Sequence, residues 1–252
     1  MDNPLVLYET REQIAYITLN RPEKLNALHS VMIAEINRTW HHFEHDGDVR
    51  VGIVTGAGNA FCTGIDVDKS LTQPGRPDIV LALPGIGATV TKPLIAAING
   101  YCLGGGMDIA MRCDIRIASE NAQFGYPEVK IGVAGQGVSD LVDYVPLGIA
   151  MEVLLTGELF NADKAYKIFF VNKVTSSGDL LDEATNVAQI LRNNAPLALK
   201  SLKLLAYKRA WGPLAQTRVD YYSLIKPQFE SEDFKEGIKA FKEKRKPQFK
   251  NR

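Results

Sequence analysis

The stretch from Lys92 to Glu128, KPLIAAINGYCLGGGMDIAMRCDIRIASENAQFGYPE, constrains this chain more than any other. Leu94 to Ile98 is an unbroken apolar run with the length of a buried strand. The triplet Gly104, Gly105 and Gly106 then interrupts the pattern, a helix starts there, and a second strand leads to Pro127 and Glu128. Glycines let backbone N–H groups approach a ligand with no Cβ in the way, and a helix starting at that point adds the positive end of its dipole.

Such a site suits an anion or a developing oxyanion. Asp108, just inside the helix, and Glu128, after the next strand, stand where two carboxylates can flank it. Paired acids beside an oxyanion site suit removal or delivery of a proton next to a carbonyl. A lone acid in a first helical turn is ordinarily a dipole partner, and a lone Glu after Pro is ordinarily solvated. The catalytic reading rests on the joint setting.

Composition narrows the class. The 252 residues, 46% of them apolar, suffice for a large core, and Lys plus Arg equal Asp plus Glu at 29 each. That balance offers no general attraction to nucleic acid or to an acidic membrane. Cys62, Cys102 and Cys113 are odd in number, lack Cys-x-x-Cys spacing and sit among apolar neighbours, as expected of reduced thiols in a cytoplasmic protein. No apolar run approaches ~18 residues and the first dozen residues do not read as a leader, so a soluble, untargeted protein is expected.

Along the chain, Leu5–Tyr8 and Ile14–Leu19 read as a hairpin around Thr10-Arg11-Glu12. Leu28, Met32, Ile36, Trp40 and Phe43 recur at helical spacing, predicting an amphipathic helix from about Ser30 to His45. His41 and His45 lie one turn apart on it, but Trp40 and Phe43 claim the buried face and no third ligand is evident. Val49–Thr55 is a strand that ends in Gly56-Ala57-Gly58, yet Phe61 stands where a dinucleotide fingerprint needs its third glycine; Gly135-Gln136-Gly137 fails at Asp140 in the same way.

The breakers Pro74, Gly75, Pro77, Pro84, Gly85 and Gly87 predict an irregular segment over a pocket, with a short helix near Asp78–Leu83. Short helices are expected over Val138–Val145 and Gly148–Leu155, a helix capped by Asn161 over Ala162–Phe169, and a closing strand at Val171–Val174. From Asp179 onward only helices are expected, the last running from Ser231 to a basic end at Lys242, Lys244, Arg245 and Lys246. Alternating strands and helices followed by helices alone give an α/β core with a helical C-terminal piece.

The segment NGYCLGGGMDIAMRCDIRIASENAQFGYPE resembles the enoyl-CoA hydratase/isomerase (crotonase) family, as do Asn20–Leu28 (NRPEKLNAL), Ala60–Asp66 (AFCTGID) and Phe241–Phe249 (FKEKRKPQF), in the family's order. The resemblance implies a crotonase-like right-handed spiral of β-β-α turns with a C-terminal helical region: residues 1–190 as the core carrying an acyl-CoA site, and 191–252 as helices for assembly into a trimer or a dimer of trimers. It implies an acyl-CoA thioester as substrate, with CoA arriving as part of it and no separate cofactor.

Matched position by position, the resemblance assigns the thioester oxygen to the backbone N–H groups of Ile65 and Gly105, supported by Gly64 and Gly104. It assigns acid–base work to Asp108 and Glu128. Lys24, Ala27, the backbone of Asp66 and Lys244 fall where the family contacts CoA, and Tyr101, Tyr126 and Tyr144 are candidates for the acyl pocket or for core packing. The family's hydratases usually hold Glu at the position of Asp108, whereas its dienoyl-CoA isomerases hold Asp there and a further Asp at the position of Gln136. Hydration of an enoyl-CoA is the first reading and double-bond isomerisation the second. A catalytically weak acyl-CoA-binding or scaffold protein is the third.

Overall fold

The computed structural model describes residues 4–67, 79–133, 138–211, 227 and 229–252. Gln136 and Asp78 lie outside the described residues.

Strands β1 (Val6–Arg11) and β2 (Ile14–Leu19) pair antiparallel through a turn at Glu12 and Gln13, both with positive φ (48° and 66°). The turn is thus a residue or two later than Thr10–Glu12, because two consecutive left-handed residues match the strand twist in a two-residue hairpin. Helix α1 (Ser30–His45) follows, buries Met32, Ile36, Trp40 and Phe43, and is capped by His29, whose side chain accepts from the Met32 N–H. His45 Nδ1 lies 2.8 Å from the carbonyl of His41 on the same exposed face.

The chain then winds as strand pairs. β3 (Val51–Gly56), β5 (Leu94–Ile98) and β7 (Ile115–Ser119) lie parallel in a six-stranded sheet, in the order β1-β2-β3-β5-β7 with Lys173–Thr175 at its far edge. Each is followed by a shorter partner, β4 (Ala60–Cys62), β6 (Tyr101–Leu103) and β8 (Gln123–Gly125), and these align parallel in that order in a second sheet, which Phe160–Asn161 completes antiparallel beside β8. One coil of the spiral therefore adds one strand to each sheet. The same ends of β4, β6 and β8 open onto one place.

β5 shows why its sequence is apolar throughout. Leu94, Ala96 and Ile98 enter the main core, while Ile95 and Ala97 join a second cluster with Ile14, Val51, Ile53 and Ile117. That second face is covered by α5 (Leu180–Arg192) through Leu180, Ala184 and Ala188. A strand buried on both faces loses the alternation of a half-exposed one.

Between these lie α2 (Gly105–Met111), α3 (Leu147–Thr156), β9 (Phe160–Asn161), α4 (Ala162–Lys167) and β10 (Lys173–Thr175). Asn161 caps α4 by accepting from the Lys164 N–H. The expected helices near Asp78–Leu83 and Val138–Val145 are, over the described residues, 3-10 turns at Ile79–Ala82 and Val138–Asp143. α4 stops at Lys167, since Phe169 adopts a left-handed φ of 62°.

α6 (Pro196–Trp211) is tied to the core where Lys203 Nζ (2.9 Å) and Tyr207 Oη (2.8 Å) both donate to Asp114. α7 (Glu232–Glu243) begins at a Ser231 cap, and Arg50 donates to the carbonyl of Phe249 in the tail that follows it. Among the described residues no helix is long and apolar enough to cross a membrane.

One buried ion pair fastens the loop before α1 to the loop after β4. Arg21 Nη1 donates to Asp66 Oδ2 at 2.6 Å, both side chains being only 6% exposed, and also to the carbonyl of Ala27 at 2.9 Å. Removing one partner strands a buried charge. Asp66→Ala is expected to lower unfolding free energy by about 3–5 kcal/mol, read from urea denaturation; a loss below ~1 kcal/mol would show that the pair is not a structural fastening.

Candidate active site

The residues that follow β4, β6 and β8 converge on a cavity of about 210 Å³ lined by Ile65, Gly105, Asp108 and Glu128, among others. Three consecutive coils of the spiral thus contribute one segment each.

The first segment is held by main-chain pairing. Leu28 N–H donates to the carbonyl of Gly64 (2.7 Å) and Leu28 C=O accepts from the Asp66 N–H (2.8 Å), forming a parallel bridge opposite Ile65. In such a bridge the central residue's own N–H faces the other way. For Ile65 that is away from Leu28, and no acceptor meets it among the described residues.

The second segment starts α2. Gly105 is its first residue, so its N–H has no intrahelical acceptor. The two segments touch backbone to backbone: a Cβ placed on Gly64, whose φ is 86°, would lie 3.1 Å from Gly105 N. At Gly104, with φ 48°, a Cβ would lie 1.7 Å from Glu128 Oε1. The carboxylate of Glu128 therefore rests in the space that any side chain at Gly104 would fill.

The third segment is Tyr126-Pro127-Glu128, entering a 3-10 turn over Pro127–Ile131. Among the described residues Glu128 Oε2 is buried with no hydrogen-bond partner. Tyr126 Oη donates to Asp108 Oδ1 at 2.6 Å, and the two side chains are 2% and 4% exposed. Burial pushes the Asp108 carboxyl up to about 7; the Tyr126 hydrogen bond opposes the rise, Glu128 and Asp140 add to it and Arg112 counters it. Burial also raises Glu128, against the pull of its own backbone N–H. Both neighbouring carboxyls therefore hold their protons more tightly than a solvated acid does.

The structure thus brings Ile65, Gly105, Asp108 and Glu128 to one cavity, with Gly64 and Gly104 immediately behind them. Lys24 and Ala27 lie on the loop beside Leu28 and do not line it, and Lys244 is exposed at the left-handed C-terminal cap of α7. Asp66 meets Arg21 through its side chain. Tyr126 lines the cavity, whereas Tyr144 donates to the carbonyl of Met111 (2.6 Å) and Tyr101 is 41% exposed on the short sheet. Cys62 is buried, and its thiol is pushed up to about 12 by burial.

Sequence reasoning missed the Tyr126–Asp108 contact and the part of Ile79, whose Cδ1 lies 2.1 Å from where a Cβ on Gly105 would be. No spacing rule announces either. Ile79 is held there from afar, since Trp40 Nε1 and Asn37 Nδ2 on α1 donate to the carbonyls of Ala82 (2.8 Å) and Leu81 (2.9 Å). Ile65, Val67, Ile79, Ile131 and Val133 make much of the lining apolar.

A family model described as enoyl-CoA hydratase/isomerase matches residues 9–252. The (E)-benzylidenesuccinyl-CoA hydratase of Thauera aromatica is 39% identical over 97% of this chain and 98% of that protein. The short-chain-enoyl-CoA hydratase of Clostridium acetobutylicum is 38% identical over 98% of each. Among solved structures, the enoyl-CoA hydratase EchA1 of Mycobacterium marinum superposes with a TM-score of 0.91 at 33% identity, covering 99% of this chain and 100% of that one.

The raised Asp108 carboxyl carries a sign. A carboxyl bound more tightly to its proton when folded contributes stability that is full below its unfolded value of 3.8 and is lost as pH rises through about 7. Asp108→Asn removes this dependence. Its Tm is expected to exceed wild type by at least ~3 °C at pH 8 and to lose that advantage toward about pH 4, measured by calorimetry across that range; a constant Tm difference would contradict the assignment.

Proposed function

Because the chain belongs to the enoyl-CoA hydratase/isomerase family and has its crotonase fold, we propose that it adds water across the double bond of an α,β-unsaturated acyl-CoA. Asp108 and Glu128 are the acid–base pair, and the main-chain amides of Ile65 and Gly105 form the oxyanion hole. The single observation that carries this reading is the meeting of these four groups at one cavity, with both carboxyls raised by burial.

Hydration needs one proton taken and one given. As the water oxygen bonds to Cβ, one carboxylate removes a proton from it, and the π electrons move through Cα onto the thioester oxygen. Two oriented amides stabilise that oxygen, each by roughly 3–4 kcal/mol. The other carboxyl then protonates Cα as the charge returns, so the pair ends the cycle holding as many protons as it began with. A carboxyl raised to about 7, beside a second one raised by burial, suits this exchange.

CoA enters with its acyl group, and the enzyme uses no further cofactor; Lys24, Ala27, the backbone of Asp66, Gln136 and Lys244 are proposed to serve substrate binding. The protein is proposed to work in the cytoplasm. Residues 1–190 form the catalytic core, and 191–252 assist assembly into a trimer or dimer of trimers. Support for self-association comes from α3, where Leu147, Met151 and Leu155, one turn apart, are 64%, 40% and 67% exposed. A second reading, double-bond isomerisation, is favoured by Asp108 itself, which is one methylene shorter than the Glu usual in hydratases of the resembled family.

Incubation with crotonyl-CoA, longer and aryl-substituted enoyl-CoAs and dienoyl-CoAs, with products read by mass, separates the readings: gain of water is expected, whereas rearrangement at constant mass would replace hydration by isomerisation. Asp108→Asn and Glu128→Gln are each expected to lower kcat at least ~100-fold with acyl-CoA affinity nearly unchanged. Normal turnover in either variant removes that residue from the mechanism. Light scattering is expected to report three or six copies, and a monomer would end the assembly proposal.

A further inference from the structure

We propose that Tyr126 is a positioning residue for this reaction: its hydroxyl holds Asp108, the shorter of the two acids, in one orientation toward the cavity and keeps that carboxyl able to exchange its proton. The inference rests on the acid–base reading given above.

Four observations meet here. Tyr126 Oη donates to Asp108 Oδ1 at 2.6 Å, short for a neutral hydroxyl pair and in the range of a bond to a charged acceptor. Oδ1 being engaged, Oδ2 is the oxygen left for water or substrate. The contact is fully enclosed, so the bond is shielded from competing water and its loss would leave Oδ1 buried and unpaired. Finally, Tyr126 and Glu128 flank Pro127, whose ring restricts the backbone of its neighbour. One Tyr-Pro-Glu segment therefore carries Glu128 directly and orients Asp108 through a hydroxyl, so the separation of the two acids is set by three adjacent residues.

An Asp has a shorter stem than a Glu and meets the cavity only from a narrow range of χ1 and χ2. A fixed donor on one oxygen removes that rotational freedom, and a displacement of ~1 Å at a reacting group costs on the order of 100-fold in rate. The other charged or titratable groups acting on Asp108 are Glu128, Asp140 and Arg112, with the thiols of Cys62 and Cys102 close by. Among the described residues Tyr126 is the one that hydrogen-bonds its carboxylate. Without it, burial and the neighbouring acids are countered by Arg112 with no hydrogen bond from Tyr126, and the carboxyl retains its proton to higher pH.

Tyr126→Phe deletes the hydroxyl and keeps the ring. The expected result with crotonyl-CoA, or the thioester turned over fastest, is a kcat at least ~10-fold lower with KM within ~3-fold, and a pH–rate limb moved upward by at least ~0.5 pH unit. Infrared titration of the Asp108 carboxyl band, identified by its loss in Asp108→Asn, is expected to shift upward equally and needs no substrate. In the Asp108→Asn background the second substitution is expected to cost nothing more. Should Tyr126→Phe fold poorly, 3-fluorotyrosine at position 126, a stronger donor, is expected to move the same titration downward. Unchanged kcat, pH profile and carboxyl titration in folded Tyr126→Phe would overturn the positioning role while leaving the acid–base reading intact. Normal turnover in Asp108→Asn would instead overturn the acid–base reading, and the infrared shift would still report whether Tyr126 sets the Asp108 proton.

Discussion

The contact on which the rest depends is the approach of two backbone segments with no side chain between them. Cys62–Ile65 and Leu103–Gly106 lie at the ends of adjacent parallel strands, and a Cβ on Gly106 would meet the Cys62 carbonyl at 2.2 Å. That closeness puts Ile65 and Gly105, from two loops, on the wall of one cavity. The spiral supplies the contact because each coil adds a strand to the same short sheet, so chain segments some 40 residues apart end side by side. Glycine is required there by space, and what it brings together are main-chain atoms that any sequence carries.

The same enclosure strains the electrostatics. Burial raises both Asp108 and Glu128, and Glu128 adds to the rise at Asp108, a cost to folding that well-packed apolar residues would avoid. The acid–base role proposed for the pair would give that cost a use, since a carboxyl near 7 exchanges protons readily at neutral pH. The cavity walls are otherwise largely apolar, which keeps the effective dielectric low and strengthens every interaction with developing charge.

Further out, the fold acts to hold this arrangement still. α1 places Ile79 over Gly105 through hydrogen bonds from Trp40 and Asn37 to the 79–82 turn. The Arg21–Asp66 pair fastens the loop that bridges to Ile65. Asp114 gathers Lys203 and Tyr207 from α6 and the N–H of Leu94, so the C-terminal helices are tied to the strand that leads to the glycine triplet. Arg21, Asn37, Trp40, Asp114, Lys203 and Tyr207 act from outside the cavity lining.

The sequence by itself determined whatever depends on local pattern. The apolar run of β5, the helical spacing of α1 from Ser30 to His45, the Asn161 cap and the glycine triplet before Asp108 were all legible, because period, capping chemistry and absent side chains act within a few residues. The motifs in order also pointed to the family. Tertiary structure alone decided which residues meet. That Tyr126 turns its hydroxyl to Asp108 while Tyr144 turns to Met111 depends on distant packing; so does the pairing of Arg21 with Asp66, 45 positions away. The late hairpin turn and the 3-10 turns differ from expectation for a related reason: turn type and helix length are settled by what the flanking segments must reach. Pattern is read along the chain, whereas desolvation and hydrogen-bond partnership exist only between segments that folding has brought together.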